Sequence, residues 1–158
     1  SAAQLVHNPA CAKVVELGAG TGRLSRSLLR AGIKPENLTA VELDKAFCSF
    51  LSASLPKVKI IQGDAGELTD LLGVSVVGTI DVVFSVIPLM YLPASVREQI
   101  VNQALAVLKP GGKLYHVCYT PVSPIRKNET IESKRLVSMW LNLPPGFVWE
   151  FYLAKPKN

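Results

Sequence analysis

Three acidic side chains, Glu16, Glu42 and Asp64, fall at or just beyond the ends of short apolar runs, and the first of them opens a glycine-rich turn. That turn, Glu16-Leu17-Gly18-Ala19-Gly20-Thr21-Gly22, joins an apolar run to an amphipathic one. Gly18 and Gly20 carry no Cβ, so a bulky ligand can come close to the backbone there. A helix that starts behind such a turn aims its unpaired N–H groups at the ligand. The dinucleotide fingerprint G-x-G-x-x-G would need glycine at position 23, which is Arg23; the third glycine is Gly22 instead. Glu42 follows the turn by about 20 residues, where a carboxylate can accept both hydroxyls of a ribose. Asp64, in Gln62-Gly63-Asp64-Ala65, is placed to accept from an adenine amino group. Singly, each acid reads as a surface residue. Together, at successive strand ends of an open α/β sheet, they point to a nucleoside-bearing ligand.

The elements that must hold these residues can be read from apolar periodicity. Residues 13–17, 38–42, 58–62 and 80–85 read as buried strands, and residues 114–119 alternate as a fifth. Between them, Leu24, Leu28 and Ala31 recur at helical spacing until Gly32 and Pro35, and Phe47, Phe50, Leu51 and Leu55 give residues 45–55 one apolar face. A short helix fits residues 66–72. Pro93 suits the first turn of another, whose face is Val96, Ile100, Ala104 and Val107, and Pro110-Gly111-Gly112 ends it. Residues 135–143 and 147–154, around Pro144-Pro145-Gly146, read as a β-hairpin. Strand–helix alternation predicts a doubly wound, mostly parallel sheet of seven strands, closed by this C-terminal antiparallel hairpin. The long stretch 120–134 reads as a loop, of the length that often carries function.

The chain has 158 residues and reads as one domain over 1–158. With 49% hydrophobic and 18% charged residues it is not disordered by default. Its mean hydropathy is +0.29, but the most apolar stretch, 74–92, contains Gly78, Asp81 and Pro88 and fits a buried strand better than a membrane span. Residues 1–9 do not resemble a signal peptide, and a first residue of serine suggests a truncated chain. Cys11, Cys48 and Cys118, without any C-x-x-C pair, read as reduced thiols packed in a core, with no metal site expected. The net charge of +5 is uneven, since residues 123–158 hold six basic and three acidic groups. Such a tail can meet an anionic membrane or nucleic acid, or can simply be a solvated face.

These motifs resemble those of the class I S-adenosylmethionine-dependent methyltransferases, whose fold is Rossmann-like. Val14-Val15-Glu16-Leu17-Gly18-Ala19-Gly20-Thr21-Gly22 looks like their first motif, Val41-Glu42-Leu43-Asp44 like the ribose segment, and Gly63-Asp64-Ala65 like the adenine-side segment. Leu108-Lys109-Pro110-Gly111-Gly112-Lys113-Leu114 is similar to their turn before the fifth strand. The resemblance implies S-adenosylmethionine as cofactor and S-adenosylhomocysteine as product. It implies a cofactor site of Glu16, Gly18, Ala19, Gly20, Gly22, Glu42, Leu43, Asp64, Ala65 and Ser85.

A narrower resemblance is to the soluble bacterial phospholipid N-methyltransferases, which act on phosphatidylethanolamine. It is carried by Ser85-Val86-Ile87-Pro88-Leu89-Met90, by Tyr119-Thr120-Pro121-Val122-Ser123-Pro124-Ile125-Arg126, and by Trp140-Leu141-Asn142-Leu143-Pro144-Pro145-Gly146-Phe147-Val148-Trp149. It implies a cytoplasmic enzyme peripheral to the inner membrane face, with an anionic lipid surface as its partner. Members of that family carry an N-terminal amphipathic helical segment, for which the twelve residues before Lys13 leave no room. The ribosomal RNA adenine N6-dimethyltransferases are a second similar family. Their Asn-Leu-Pro-Tyr after the fourth strand holds the base, where this chain has Val86-Ile87-Pro88-Leu89, so nucleic acid is the weaker expectation. A small-molecule acceptor also stays open.

For a lipid amine, Tyr119 is the first candidate to orient the acceptor, then Tyr91 and Ser85. His116 reads as a packed core histidine. Trp140, Trp149 and Tyr119 are rings that a methylated ammonium would favour; both tryptophans also suit packing the hairpin onto the sheet, the preferred reading for Trp149. Arg126 and Lys127 are placed to meet lipid phosphate.

Overall fold

A computed structural model describes residues 5–125, 131–139 and 146–153, with the side chains of 137–139 left aside. Seven strands make one sheet in the order β3-β2-β1-β4-β5-β7-β6. The strands are β1 Val14–Leu17, β2 Leu38–Glu42, β3 Lys59–Gln62, β4 Ile80–Ser85, β5 Leu108–Cys118, β6 Ile131–Met139 and β7 Gly146–Leu153. The first five pair in parallel, while β7 runs antiparallel to β5 and to β6. The helices are α1 Arg23–Arg30, α2 Lys45–Ser54, α3 Leu68–Leu72 and α4 Ala94–Ala106.

Both faces of the parallel strands are covered, which is why those strands are apolar without alternation. Val15, Leu17, Val83 and Leu114 pack with Leu68 and Leu72 of α3 and with Ile100, Val101, Ala104 and Leu105 of α4. Val14, Val82, Phe84 and Tyr115 pack on the other face with Leu28 of α1 and Leu51 of α2. The order of the strands reverses between β1 and β4. A crevice therefore opens at their carboxyl ends, where doubly wound sheets bind ligands.

Several boundaries differ from the sequence reading, each for a local reason. Strand β5 starts at Leu108 rather than 114, because its pairing with β4 shifts between Ile80 and Val82 and absorbs Pro110-Gly111-Gly112 as an irregularity. A Cβ on Gly112 would lie only 3.0–3.1 Å from three backbone carbonyl oxygens, those of Lys109, Asp81 and Ile80. Strand β6 starts at Ile131 rather than 135, so the loop after β5 is shorter than expected. In α2 the buried side chains are Cys48 and Leu51, whereas Phe47 and Phe50 are exposed. The Asp44 carboxylate accepts from the N–H groups of Ala46 and Phe47, and this cap sets the helix phase. Cys48 and Cys118 are buried as thiols, but Cys11 is exposed.

Candidate functional site

The turn after β1 is held by backbone bonds from Gly18 N–H to the Val41 carbonyl (2.9 Å) and from Gly22 N–H to Ala19 (2.8 Å). Its glycines serve different purposes. Gly18 has φ 75°, and a Cβ there would lie 2.8 Å from Cγ1 of Ile87, so the close approach is by the loop after β4 rather than by a ligand. Gly20 has φ 52° and nothing within 4 Å of a Cβ position, which makes it the glycine that faces open space.

Glu42 ties this turn to the β2–α2 loop. Its Oε2 accepts from Gly20 N–H at 2.7 Å, and its Oε1 accepts from Asp44 N–H at 3.0 Å. An ionised carboxylate offers about four lone-pair sites, so two stay open for hydroxyls. Leu43, next in the chain, is 67% exposed, an apolar face beside the acid. Asp64 is exposed and caps the following turn through Oδ1, which accepts from Gly66 N–H at 2.7 Å. Ala65 is buried beneath it.

Glu16 is wholly buried, and Ser25 Oγ of α1 donates to its Oε2 at 2.5 Å. Its Oε1 has no partner among the described residues. Burial pushes its carboxyl up to about 7, with the Ser25 bond opposing and the Glu42 charge adding to the rise. A cationic ligand end would satisfy this carboxylate. The orphaned oxygen of Glu16, the open space at Gly20, the free lone pairs of Glu42 and the bare face of Leu43 together fit S-adenosylmethionine. Its ammonium and sulfonium are cationic, its ribose has two hydroxyls, and its adenine has an apolar face.

The expected acceptor residues are dispersed. Ser85 ends β4, is buried, and lies opposite His116 of β5, with its Oγ 3.3 Å from Nδ1. Tyr91, at the end of a 3-10 turn Leu89–Tyr91, is 88% exposed. Tyr119, one residue past β5, is 67% exposed. No hydrogen bond joins either phenol to Ser85 among the described residues. His116 is buried, as its alternation with Leu114 suggests, and burial holds its imidazole down at about 4. Its Nε2, however, has no partner among the described residues, and neither has Nε1 of Trp149. That pairing could not be read from sequence, because it depends on the β4–β5–β7 register. Trp140, Arg126 and Lys127 lie outside the described residues.

A family model described as "Methyltransferase domain" matches residues 14–112. Among curated proteins, the ribosomal RNA small subunit methyltransferase A of Chlorobium chlorochromatii (strain CaD3) is 38% identical over 52 residues, which are 33% of this chain and 19% of that protein. Among solved structures, a TehB-like SAM-dependent methyltransferase from Corynebacterium glutamicum superposes with a TM-score of 0.68 at 15% identity, covering 96% of this chain and 84% of that one. The CurJ carbon methyltransferase gives 0.69 at 12% identity, covering 96% and 51%. At such identities the structures speak for the fold alone. The chain belongs to the methyltransferase domain family. It has the seven-stranded Rossmann-like fold of the methyltransferase structures it superposes on.

Proposed function

We propose that this domain methylates the amine of a phospholipid head group, phosphatidylethanolamine, at a membrane surface. The observation that carries the reading is the rim of the site. Phe47 after β2, Tyr91 after β4, and Tyr119 and Val122 after β5 are large apolar side chains left exposed, all following carboxyl ends of strands. Single exposed hydrophobics are ordinary. Four that follow the carboxyl ends of three strands of one sheet suit an acceptor that arrives with acyl chains.

In this reading Glu16 and the turn at Gly18, Ala19, Gly20 and Gly22 hold the methionine end of the cofactor. Glu42 and Leu43 take the ribose, and Asp64 and Ala65 the adenine. When bound, the cofactor supplies an electrophilic methyl group on a sulfonium. The protein positions a neutral amine against it and excludes water. An alkyl ammonium, with a pKa near the lysine value of about 10.4, loses its proton more readily on entering a dry pocket. Ser85, Tyr91 and Tyr119 are the hydroxyls assigned in this reading to orient the amine.

The partial match to a ribosomal RNA methyltransferase favours a second reading, an RNA adenine acceptor. Against it, the positions after β4 offer no amide or ring, since Ile87 packs against Gly18 and Leu89 is buried in the core. The test supplies labelled S-adenosylmethionine with mixed phosphatidylethanolamine and phosphatidylglycerol vesicles, or with small-subunit ribosomal RNA. This chain and the complete translated product are both assayed. Label in mono- and dimethylated lipid is expected. Label in RNA adenine, or a cofactor-binding protein that labels no lipid, would overturn the lipid reading.

A further inference from the structure

Among the described residues, two buried polar atoms without partners belong to side chains on directly opposed positions of this sheet, outside the residues that suit the cofactor. His116 of β5 is opposite Ser85 on one side and opposite Trp149 of β7 on the other. Residues directly opposite one another share a face of the sheet. The row therefore runs Leu17, Ser85, His116, Trp149 across β1, β4, β5 and β7. Leu17 is the residue from which the glycine-rich turn departs, and two strand spacings, about 10 Å, separate its backbone from that of His116. Buried polar groups are nearly always bonded. Two such atoms on directly opposed residues, Nε2 of His116 and Nε1 of Trp149, are what a polar group would satisfy.

The chemistry of the row says which kind of group. Among the described residues Ser85 partners His116 Nδ1, with its Oγ 3.3 Å away. If Nδ1 carries the proton and donates it to that oxygen, Nε2 is left as a bare acceptor. Trp149 Nε1 can only donate. The row thus offers one acceptor and one donor. It is matched by a ligand whose N–H lies a few bonds from an oxygen, as in an ethanolamine ester. We propose that His116 is a positioning residue for the methyl acceptor: its Nε2 accepts an N–H of the incoming neutral amine, leaving the nitrogen lone pair free, while Trp149 Nε1–H donates to an oxygen of the same head group. The inference rests on the amine reading above and names the residue that selects for it. The low imidazole pKa keeps the ring neutral, as an acceptor must be.

The experiment has two arms. In the first, long-range proton–nitrogen NMR follows the His116 ring nitrogens of the unmodified protein, saturated with S-adenosylhomocysteine. Glycerophosphoethanolamine is added, or glycerophosphocholine, which has no N–H to give. The primary amine should move the Nε2 resonance, and the quaternary one should not. An unmoved Nε2, as a resident water would leave it, or equal movement by both, overturns the proposal. In the second arm, His116→Asn keeps an amide near Nδ1 for Ser85 but has no atom at Nε2, whereas His116→Gln reaches the Nε2 position. Lipid labelling should fall about a hundredfold in kcat for Asn and much less for Gln, with the cofactor Kd of both within about twofold of the parent. A purely structural role predicts the reverse order, and Asn equal to or better than Gln refutes the assignment. If neither variant folds, the NMR arm decides alone. The two readings also fail separately. Wild-type protein that labels no lipid while glycerophosphoethanolamine moves Nε2 loses the lipid but keeps the amine seat. Lipid labelling with an unmoved Nε2 keeps the lipid and loses His116.

Discussion

Glu16 and His116 are buried ionisable groups whose burial acts on stability in opposite directions. The Glu16 carboxyl is raised from 4.5 to about 7, so between those values the folded chain holds a proton that the unfolded chain has lost, and stability falls as pH rises. The His116 imidazole is lowered from 6.5 to about 4, so across that window the unfolded chain holds the extra proton, and stability rises with pH. Where the windows overlap, each slope is about 1.4 kcal/mol per pH unit and the two oppose. The unliganded protein should therefore melt at a nearly constant temperature from about pH 4.5 to about pH 6.5, then weaken toward about pH 7. Glu16→Gln should uncover the rising slope and His116→Gln the falling one; parallel melting profiles for parent and both variants would refute this account. Glu42 makes a different prediction, because it bonds two backbone N–H groups of the cofactor turn. Glu42→Ala should weaken S-adenosylmethionine binding by about 1.5–3 kcal/mol, the scale of charge-assisted hydrogen bonds, as read by calorimetry. Unchanged affinity would remove Glu42 from the site. At this scale the sequence singled out Glu16, Glu42 and Asp64 by residue type and spacing. It was silent on which oxygen of each is already bonded, since a partner such as Ser25 or Asp44 N–H is set by the fold.

Among the elements, the glycine-rich turn separates what was legible from what was not. Its position after β1 follows from one apolar run and the spacing of three glycines. Which glycine meets the ligand does not, because the neighbour filling the space at Gly18 is Ile87, nearly seventy residues away in the chain. Gly18→Ala should thus strain the left-handed backbone and push on Ile87, lowering the melting temperature even without ligand. Gly20→Ala carries only the backbone cost of a positive φ, about 1–2 kcal/mol, and should keep a folded domain that binds cofactor poorly. Equal thermal loss in both variants, with equal cofactor affinity, would refute this division of roles. The same limit explains the helices and the hairpin. Of the face read for α2, Leu51 and Leu55 are buried, but Phe47 and Phe50 are exposed and Cys48 is turned inward in their place. Strand β6 begins earlier than its composition suggests because pairing with β7 reaches from Ile131 to Leu153. Periodicity gives the existence of an element, and its partner gives the ends.

For the molecule as a whole, doubly wound topology was legible from strand–helix alternation, whereas the strand order that seats Ser85 beside His116 was not. The apolar rim at the carboxyl ends and the basic excess of residues 123–158 bear on one question, how the domain meets its acceptor. No helix among the described residues is long and apolar enough to cross a membrane. In the proposed reading a lipid acceptor is met from the surface, by apolar side chains entering the interface and basic ones approaching the head groups. On β6, Lys134 and Arg135 are exposed, and that strand runs toward the same end of the sheet as β5, where Tyr119 and Val122 follow. Each basic group near an anionic surface contributes about 1 kcal/mol, and salt screens it within about 10 Å at 0.1 M. Sedimentation with phosphatidylglycerol-containing vesicles should therefore show binding that weakens as salt is raised, with little binding to neutral phosphatidylcholine. Lys134→Glu with Arg135→Glu should flatten the salt dependence. Tyr91→Ser with Tyr119→Ser should lower binding at every salt concentration, because it removes apolar area rather than charge. Binding that ignores salt, or that survives both double variants unchanged, would mean that neither surface meets the membrane and that the acceptor comes from solution.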